Sequence, residues 1–225
     1  MKKLALFDID GVIYDGHSIF DLIQEQEKSN YIKKGLWNKI LEILEKYKNG
    51  ELIYKKAADA MLFVHSQNLI GKKYQDLVNE NLNFIKQYKN KLFPYFADLI
   101  QELKKTHDIY LVTTNFDMTA EAFTKYFNLS GFLSSKIRQE NGIIVGDIEL
   151  SLGGNKGIVK NLIDKYGKNG SIAVGDSEND IDMLNLVELP LVMEPDDKMK
   201  LIVSEKRWKI VDRNTITETI LNYER

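Results

Sequence analysis

The sequence predicts an α/β fold: a parallel sheet core interrupted by an all-helical insert. Three features carry that prediction. Strand-sized apolar runs recur at wide spacing, helix-period segments separate most of them, and one gap between two runs is far too long for a simple crossover. Strands of a parallel sheet are covered on both faces, so they read as short continuous apolar runs rather than as alternation.

The first run is "LALF" (4–7), followed by "IYLV" (109–112), "SIAVG" (171–175), "LPLVM" (189–193) and "WKIV" (208–211). Amphipathic patterns predict helices over about 94–105, 117–128, 155–166 and 179–187, and Gly167 and Gly170 fit a stop after the third. The stretch "IRQENGIIVGDIE" (137–149) breaks the rhythm. Asn141-Gly142 between two alternating runs is the signature of a two-residue hairpin turn.

About a hundred residues separate the first two runs, whereas a crossover needs only about a dozen. That gap reads as helical. Ile40, Ile43, Leu44 and Tyr47 form one stripe at helical spacing. Tyr54, Ala58, Met61, Leu62 and His65 form a second, and Leu77, Val78, Leu82 and Ile85 a third. The expected division is therefore a core domain of residues 1–15 and 92–225 and a helical domain of residues 16–91, with Gly16 and Phe93-Pro94 at the junctions.

Composition excludes several kinds of chemistry. The 225 residues carry a formal net charge of -2, so no overall basic field points to nucleic acid or an anionic membrane. Cysteine is absent, which removes disulfides, thiolate nucleophiles and Cys-based zinc sites. His17, His65 and His107 are scattered, so any metal should be a hard ion bound by oxygen. The start "MKKLALF" is cut short as a signal sequence by Asp8 and Asp10, and no apolar run reaches the roughly 20 residues of a spanning helix. A cytoplasmic chain is expected; oligomeric state is not readable.

Ligands of open parallel sheets bind beyond the C-terminal strand ends, and the residues at those ends form a coherent set. Asp8 and Asp10 follow the first run, Thr113, Thr114 and Asn115 the second, and Asp176 and Asp180 the third. Lys156 in "GGNKG" stands just ahead of a helix. Asp8, Asp10 and Asp176 would form an anionic cup suited to Mg²⁺, which takes a few carboxylates, waters and substrate phosphate. Thr113 and backbone N–H groups could then hold phosphoryl oxygens, with Lys156 as a point-charge donor. Singly, each residue has an ordinary explanation: a turn or cap aspartate, an N-capping threonine, a solvated lysine. Their joint placement at three strand ends is what argues for phosphoryl chemistry, in which positioning and charge neutralisation dominate.

"DIDGV", "LVTTN", "NKG" and "GDSENDIDML" together resemble the four motifs of the haloacid dehalogenase superfamily of phosphatases. The insert between the first two motifs is similar to the helical cap of the phosphoserine-phosphatase-like branch, as are the "NGIIVGDIE" hairpin and the tail "PDDKMKLIVSEKRWKIVD". The resemblance implies a Rossmann-like core and an Mg²⁺-dependent phosphomonoesterase acting on a small phosphorylated metabolite. It makes Asp8 the nucleophile and a magnesium ligand. Asp10 becomes the general acid and base, and binds the metal through its carbonyl. Thr113, Thr114 and Lys156 would bind the phosphoryl group, Asp176 would complete the metal site, and Asp180 would orient Lys156 or a metal-bound water.

The departures bear on substrate. Phosphoserine phosphatases carry an acidic residue after the first motif, where His17 stands nearest here. They use a cap arginine, yet no arginine precedes Arg138, and Thr114 and Asn115 replace two glycines of the second motif. These features count against phosphoserine without removing it. Val12 replaces a common threonine, a change that related phosphatases tolerate and that carries little weight. Transfer to another hydroxyl, as in a mutase, and a non-catalytic phosphate sensor using Asp8 as phosphoacceptor both stay open at this point. His65 reads as structural, and His17, beside the first motif, stays outside the catalytic set.

Overall fold

A computed structural model describes residues 2–223; Met1, Glu224 and Arg225 at the ends of the expected core domain lie outside the described residues. The chain begins with β1 (Lys3–Phe7), followed by four helices: α1 (Ser18–Lys28), α2 (Leu36–Lys48), α3 (Tyr54–Leu69) and α4 (Tyr74–Gln87). The order then becomes α5 (Pro94–Leu103), β2 (His107–Phe116), α6 (Asp117–Phe127), β3 (Gly131–Glu140), β4 (Ile143–Leu150) and α7 (Lys160–Tyr166). It closes with β5 (Ile172–Gly175), α8 (Ile181–Leu186), β6 (Leu189–Met193), α9 (Asp197–Lys206), β7 (Lys209–Val211) and α10 (Ile216–Tyr223).

The seven strands form one sheet in the order β4-β3-β2-β1-β5-β6-β7, parallel except for the β3–β4 hairpin. Leu4, Ala5, Leu6 and Phe7 are fully buried, as expected for a central strand covered on both faces. The predicted α/β class holds. Because β1 lies between β2 and β5, the chain reverses its direction of travel across the sheet there. Phe7 is in register with Leu111 on one side and Val174 on the other. Asp8 and Asp176 thus follow their strands at one edge of the sheet, beside that reversal, and Thr113, which the sequence places after its strand, is still within β2, paired with Ser134.

The hairpin turns at Asn141-Gly142, and both residues have positive φ, 50° and 77°, which a type I′ turn requires. The first strand of the hairpin starts earlier than predicted. From Gly131 it runs parallel to β2 before it meets β4. A side chain at Gly131 would stand 2.6 Å from the Tyr110 ring, so the residue that obscures the strand in sequence is the one its packing requires. Helices α1, α9 and α10 are also absent from the prediction. In α1 the inward face includes Ser18 and Gln26, and those buried polar positions blur the apolar stripe.

The helical segment between β1 and β2 enters and leaves side by side: Asp15 N–H donates to the Lys91 carbonyl and Phe93 N–H to that of Ile13, both at 2.8 Å. Pro94 then opens α5 at its first turn, where its missing N–H is no loss. The segment shares a core with the hairpin, since Ile23, Ile40, Leu62 and Leu77 pack in one cluster with Phe116, Ile137 and Ile144. Gly146 in β4 accepts from Ser66 Oγ at 2.7 Å and Gln67 Nε2 at 2.9 Å, tying α3 to the sheet edge. Among the described residues no helix is long and apolar enough to cross a membrane.

Candidate active site

Beyond β1 the chain folds back at once: the N–H groups of Val12, Ile13 and Tyr14 all approach the Ile9 carbonyl. Gly11 makes this turn with φ at +72°, and a Cβ there would lie 2.1 Å from Asp176 Oδ2. Only glycine allows both the backbone angle and the approach of that carboxylate. Gly175 at the end of β5 is similarly constrained, since a Cβ would meet Asp180 Cβ and Cγ at 2.4 Å.

Lys156 is fully buried, with Nζ 2.8 Å from Asp8 Oδ2 and 2.6 Å from Asp180 Oδ1. Burial alone would drive this amine towards neutrality, but Asp180 and then Asp8 hold it above its ordinary range. One ammonium cannot fully serve two carboxylates. Asp180 accepts three further hydrogen bonds at Oδ2, from the Asp176 and Ser177 N–H groups and from Ser177 Oγ, at 3.0 to 3.2 Å. Asp8 has one besides the lysine, from Ile9 N–H at 2.7 Å. Burial therefore pushes Asp8 up to about 7, with Asp180 and Asp10 adding to the rise and Lys156 opposing it. Asp176 is likewise raised by burial and then by Asp180 and Asp8.

Asp10 faces elsewhere. Its Oδ1 accepts from Ser18 N–H at the start of α1, at 2.7 Å, and its Oδ2 from Asn115 Nδ2 at 3.2 Å. Asn115 also donates to Ser18 Oγ at 3.0 Å. Thr113 is buried, and its hydroxyl accepts from Asn115 N–H at 3.2 Å. Thr114 Oγ1 accepts from Asn179 Nδ2 at 3.1 Å, and Tyr54 of α3 borders the same cavity as Thr114. Asn179 Oδ1 in turn accepts from Gly154 N–H at 2.6 Å, linking the loop before Lys156 to the end of β2. The structure thus gathers Asp8, Asp10, Thr113, Thr114, Lys156, Asp176 and Asp180 at one edge. Asp15 stays apart, exposed, 3.8 Å from Arg213.

A family model of haloacid dehalogenase-like hydrolases matches residues 2–187. The chain belongs to that family. It is 21% identical to a histidinol-phosphatase of Neisseria meningitidis serogroup C (strain 8013) over 94% of this chain and 99% of the relative. A protein of unknown function from Bordetella pertussis Tohama I is similar in structure, with a TM-score of 0.78 at 20% identity, covering 95% of this chain and 99% of its own. A substrate-bound phosphoserine phosphatase gives 0.69 at 19% identity, covering 97% and 98%. Both likenesses support the fold.

Sequence reasoning assigned no role to Ser18, Asn115 or Asn179 in this haloacid dehalogenase-like hydrolase, and weighed Tyr54 as a packing residue of the insert rather than a pocket one. Asn115 and Asn179 were legible as polar neighbours of the motif residues. Ser18 had no signal, because it reaches the site from the helical insert. His17, left outside the catalytic set, stands at the N-cap position of α1 without a side-chain capping bond, its ring 4.9 Å from that of Phe20 by centroids, and borders the cavity beside Asp10.

The donor set fits a hard divalent cation. Asp8, Asp176 and Asp180 each bring a carboxylate oxygen within 4.8 Å of the others. Asp180 already has four donors, so Asp8 and Asp176 are the pair available, and all-oxygen ligation suits magnesium. The Asp10 carboxylate does not join this cluster. The raised Asp8 and Asp176 carboxyls add a pH dependence. A carboxyl whose pKa lies higher in the folded chain stabilises the fold below its unfolded value, and that stability is lost as pH rises through the folded value. Chelated protein should therefore lose several degrees of Tm between pH 5 and 8.5, beyond any loss in an Asp8→Asn variant. Mg²⁺ should restore more at pH 8.5 than at pH 5, where protons compete for the same oxygens. Equal Mg²⁺ protection at both pH values, by scanning calorimetry, would refute the assignment.

Proposed function

We propose that the chain is an Mg²⁺-dependent phosphomonoester hydrolase acting on a small phosphorylated metabolite. The observation that carries this reading is the buried Asp8–Lys156–Asp180 arrangement, with Asp10 held separately by Ser18 and Asn115. One carboxylate is oriented by a lysine and a backbone N–H as a nucleophile should be, while the other is fixed on a different side as an acid–base group. The names of the histidinol-phosphatase relative and the phosphoserine phosphatase neighbour support the same chemistry.

In the first step an Asp8 oxygen attacks phosphorus, the bond from phosphorus to the ester oxygen breaks, and Asp10 donates its proton to that oxygen. An alcohol leaves and Asp8 carries the phosphoryl group. In the second step Asp10 takes a proton from water, the water oxygen attacks phosphorus, and the Asp8–phosphorus bond breaks to release inorganic phosphate. Thr113, Thr114 and Lys156 hold phosphoryl oxygens throughout, and Asp180 keeps Lys156 aimed at Asp8. Asp8, Asp176 and the Asp10 carbonyl would hold Mg²⁺, whose charge neutralises phosphoryl oxygens during transfer. The helical segment of residues 16–91 acts as a cap domain that excludes water and bears substrate specificity.

The test is a product balance with an aryl phosphate and Mg²⁺, in the presence of acceptor alcohols. One inorganic phosphate should appear for each phenol released. Phosphate recovered chiefly on the acceptor would make the chain a transferase, and no turnover across a broad ester panel with tight phosphate binding would make it a sensor.

A further inference from the structure

Beside Asp10 and Thr114 the site opens into a cavity of about 170 Å³, walled from the helical segment by His17, Phe20, Tyr54 and Met61 among others. Tyr54, the first residue of α3, brings a hydroxyl to that wall. The residue is 40% exposed, but its hydroxyl end is the sheltered part. Burial pushes the phenol up to about 12, with Lys156 opposing the rise and Asp8 and Asp180 adding to it. Those three charges are the nucleophile and the ion pairs around it, so the hydroxyl lies in the field of the phosphoryl site. It keeps its proton through the neutral range and can donate. Tyr47 packs edge-on against the ring, at 6.2 Å between centroids.

The first turns of α3 are fixed to the core loop that leads to Lys156. Ser151 Oγ donates to Asp59 Oδ1 at 2.6 Å and accepts from Gly153 N–H at 3.2 Å. Lys55 Nζ donates to the Gly153 carbonyl at 3.2 Å and stands 3.7 Å from Asp59 Oδ2. The approach is close, since a Cβ at Gly153 would lie 3.0 Å from Ala58 Cβ. Gly154 N–H then bonds Asn179 Oδ1, and Asn179 Nδ2 bonds Thr114 Oγ1. One hydrogen-bonded chain thus joins the turn that carries Tyr54 to Thr114 and to the loop that carries Lys156.

The core side chains named for the phosphoryl group offer it three protons: one from each threonine hydroxyl, and the one left on Lys156 after Asp8 and Asp180. A phosphoryl group presents three strongly accepting oxygens, which have room for more. Building on the phosphatase reading, we propose that the Tyr54 hydroxyl donates to a non-bridging phosphoryl oxygen, and that the junction of Lys55 and Asp59 with Ser151 and Gly153 positions it there. The helical segment then completes the phosphoryl site itself, besides enclosing the leaving group, and full binding of phosphate requires that segment to be docked.

Wild type and Tyr54→Phe should be compared, with Mg²⁺, by kinetics on an aryl phosphate and by calorimetric titration with inorganic phosphate, which has no leaving group. Phenylalanine keeps the ring against Tyr47, so Tm should stay within a few degrees. The substitution should lower kcat/KM by about 10- to 100-fold and raise the phosphate Kd by about 10-fold or more, the size of one hydrogen bond to a charged group. An unchanged phosphate Kd overturns the proposal even where kcat/KM falls, because the loss then lies with the leaving group. Ser151→Ala should weaken phosphate binding in the wild-type background and add little to Tyr54→Phe. No loss from Ser151→Ala, or losses that add in full, overturn the role of the junction. If wild type releases phosphate from no ester, the phosphatase reading fails by itself, and the phosphate titration still decides Tyr54. Wild type that binds no phosphate either overturns both.

Discussion

Asp8→Asn should lower kcat on an aryl phosphate by at least about 10⁴-fold while leaving the protein folded. The substitution conserves volume and still offers an oxygen to the Ile9 N–H that now donates to Asp8 Oδ1 at 2.7 Å. It removes the anionic oxygen that must attack phosphorus. Stability should change little, because two effects oppose each other. Lys156 loses one carboxylate at 2.8 Å but keeps Asp180 at 2.6 Å. The cluster also sheds a charge that burial, Asp180 and Asp10 disfavour. Tm within a few degrees of wild type, measured beside the kinetics, separates loss of the nucleophile from loss of the fold. Turnover within tenfold of wild type in a preparation free of contaminating phosphatase would remove Asp8 from that role.

The aspartates and threonines of the motifs were legible because they lie at the ends of apolar strands, and a parallel sheet brings strand ends together whatever lies between them in sequence; Lys156, ahead of a helix, was legible only through the motif resemblance. Asp8 and Asp176 could be paired from sequence for that reason alone. The register of Phe7 with Leu111 and Val174 is the physical content of that pairing. Ser18 was illegible, and the orientation of Tyr54 undecidable, for the complementary reason. They belong to helices whose placement over the sheet depends on a core shared with the hairpin, through Phe116, Ile137 and Ile144, and no local pattern specifies that docking. His65 shows the limit from another side. Its place on an apolar stripe correctly marked it as buried, but burial alone says nothing of the nitrogen left unpaired when Gln26 takes the other one.

The largest effect on stability is expected from Lys156→Met. Methionine fills most of the same volume, so the change is one of charge rather than packing. It leaves Asp8 and Asp180 facing each other with no cation between them, in a place where Asp180 is fully buried and Asp8 nearly so. Removing one partner of a buried ion pair typically costs about 3–5 kcal/mol. For a chain of this length that corresponds to a fall in Tm on the order of 10 °C. The loss should depend on pH in a defined direction. Without the ammonium the Asp8 carboxyl rises further, so its proton is held across a wider range and the penalty grows as pH climbs through and above 7. The gap between variant and wild type should therefore be wide at pH 8 and narrow at pH 5, where protonation supplies what the lysine no longer does. Adding Asp8→Asn to Lys156→Met should recover part of the lost stability at pH 8, because it removes one of the two stranded charges; the double-mutant cycle then reads the coupling directly. Independent, additive effects in that cycle would mean that Lys156 and Asp8 are neighbours without being a pair. The same lysine would then hold the fold together by packing alone, and its place in the phosphoryl site would have to be argued from some other contact.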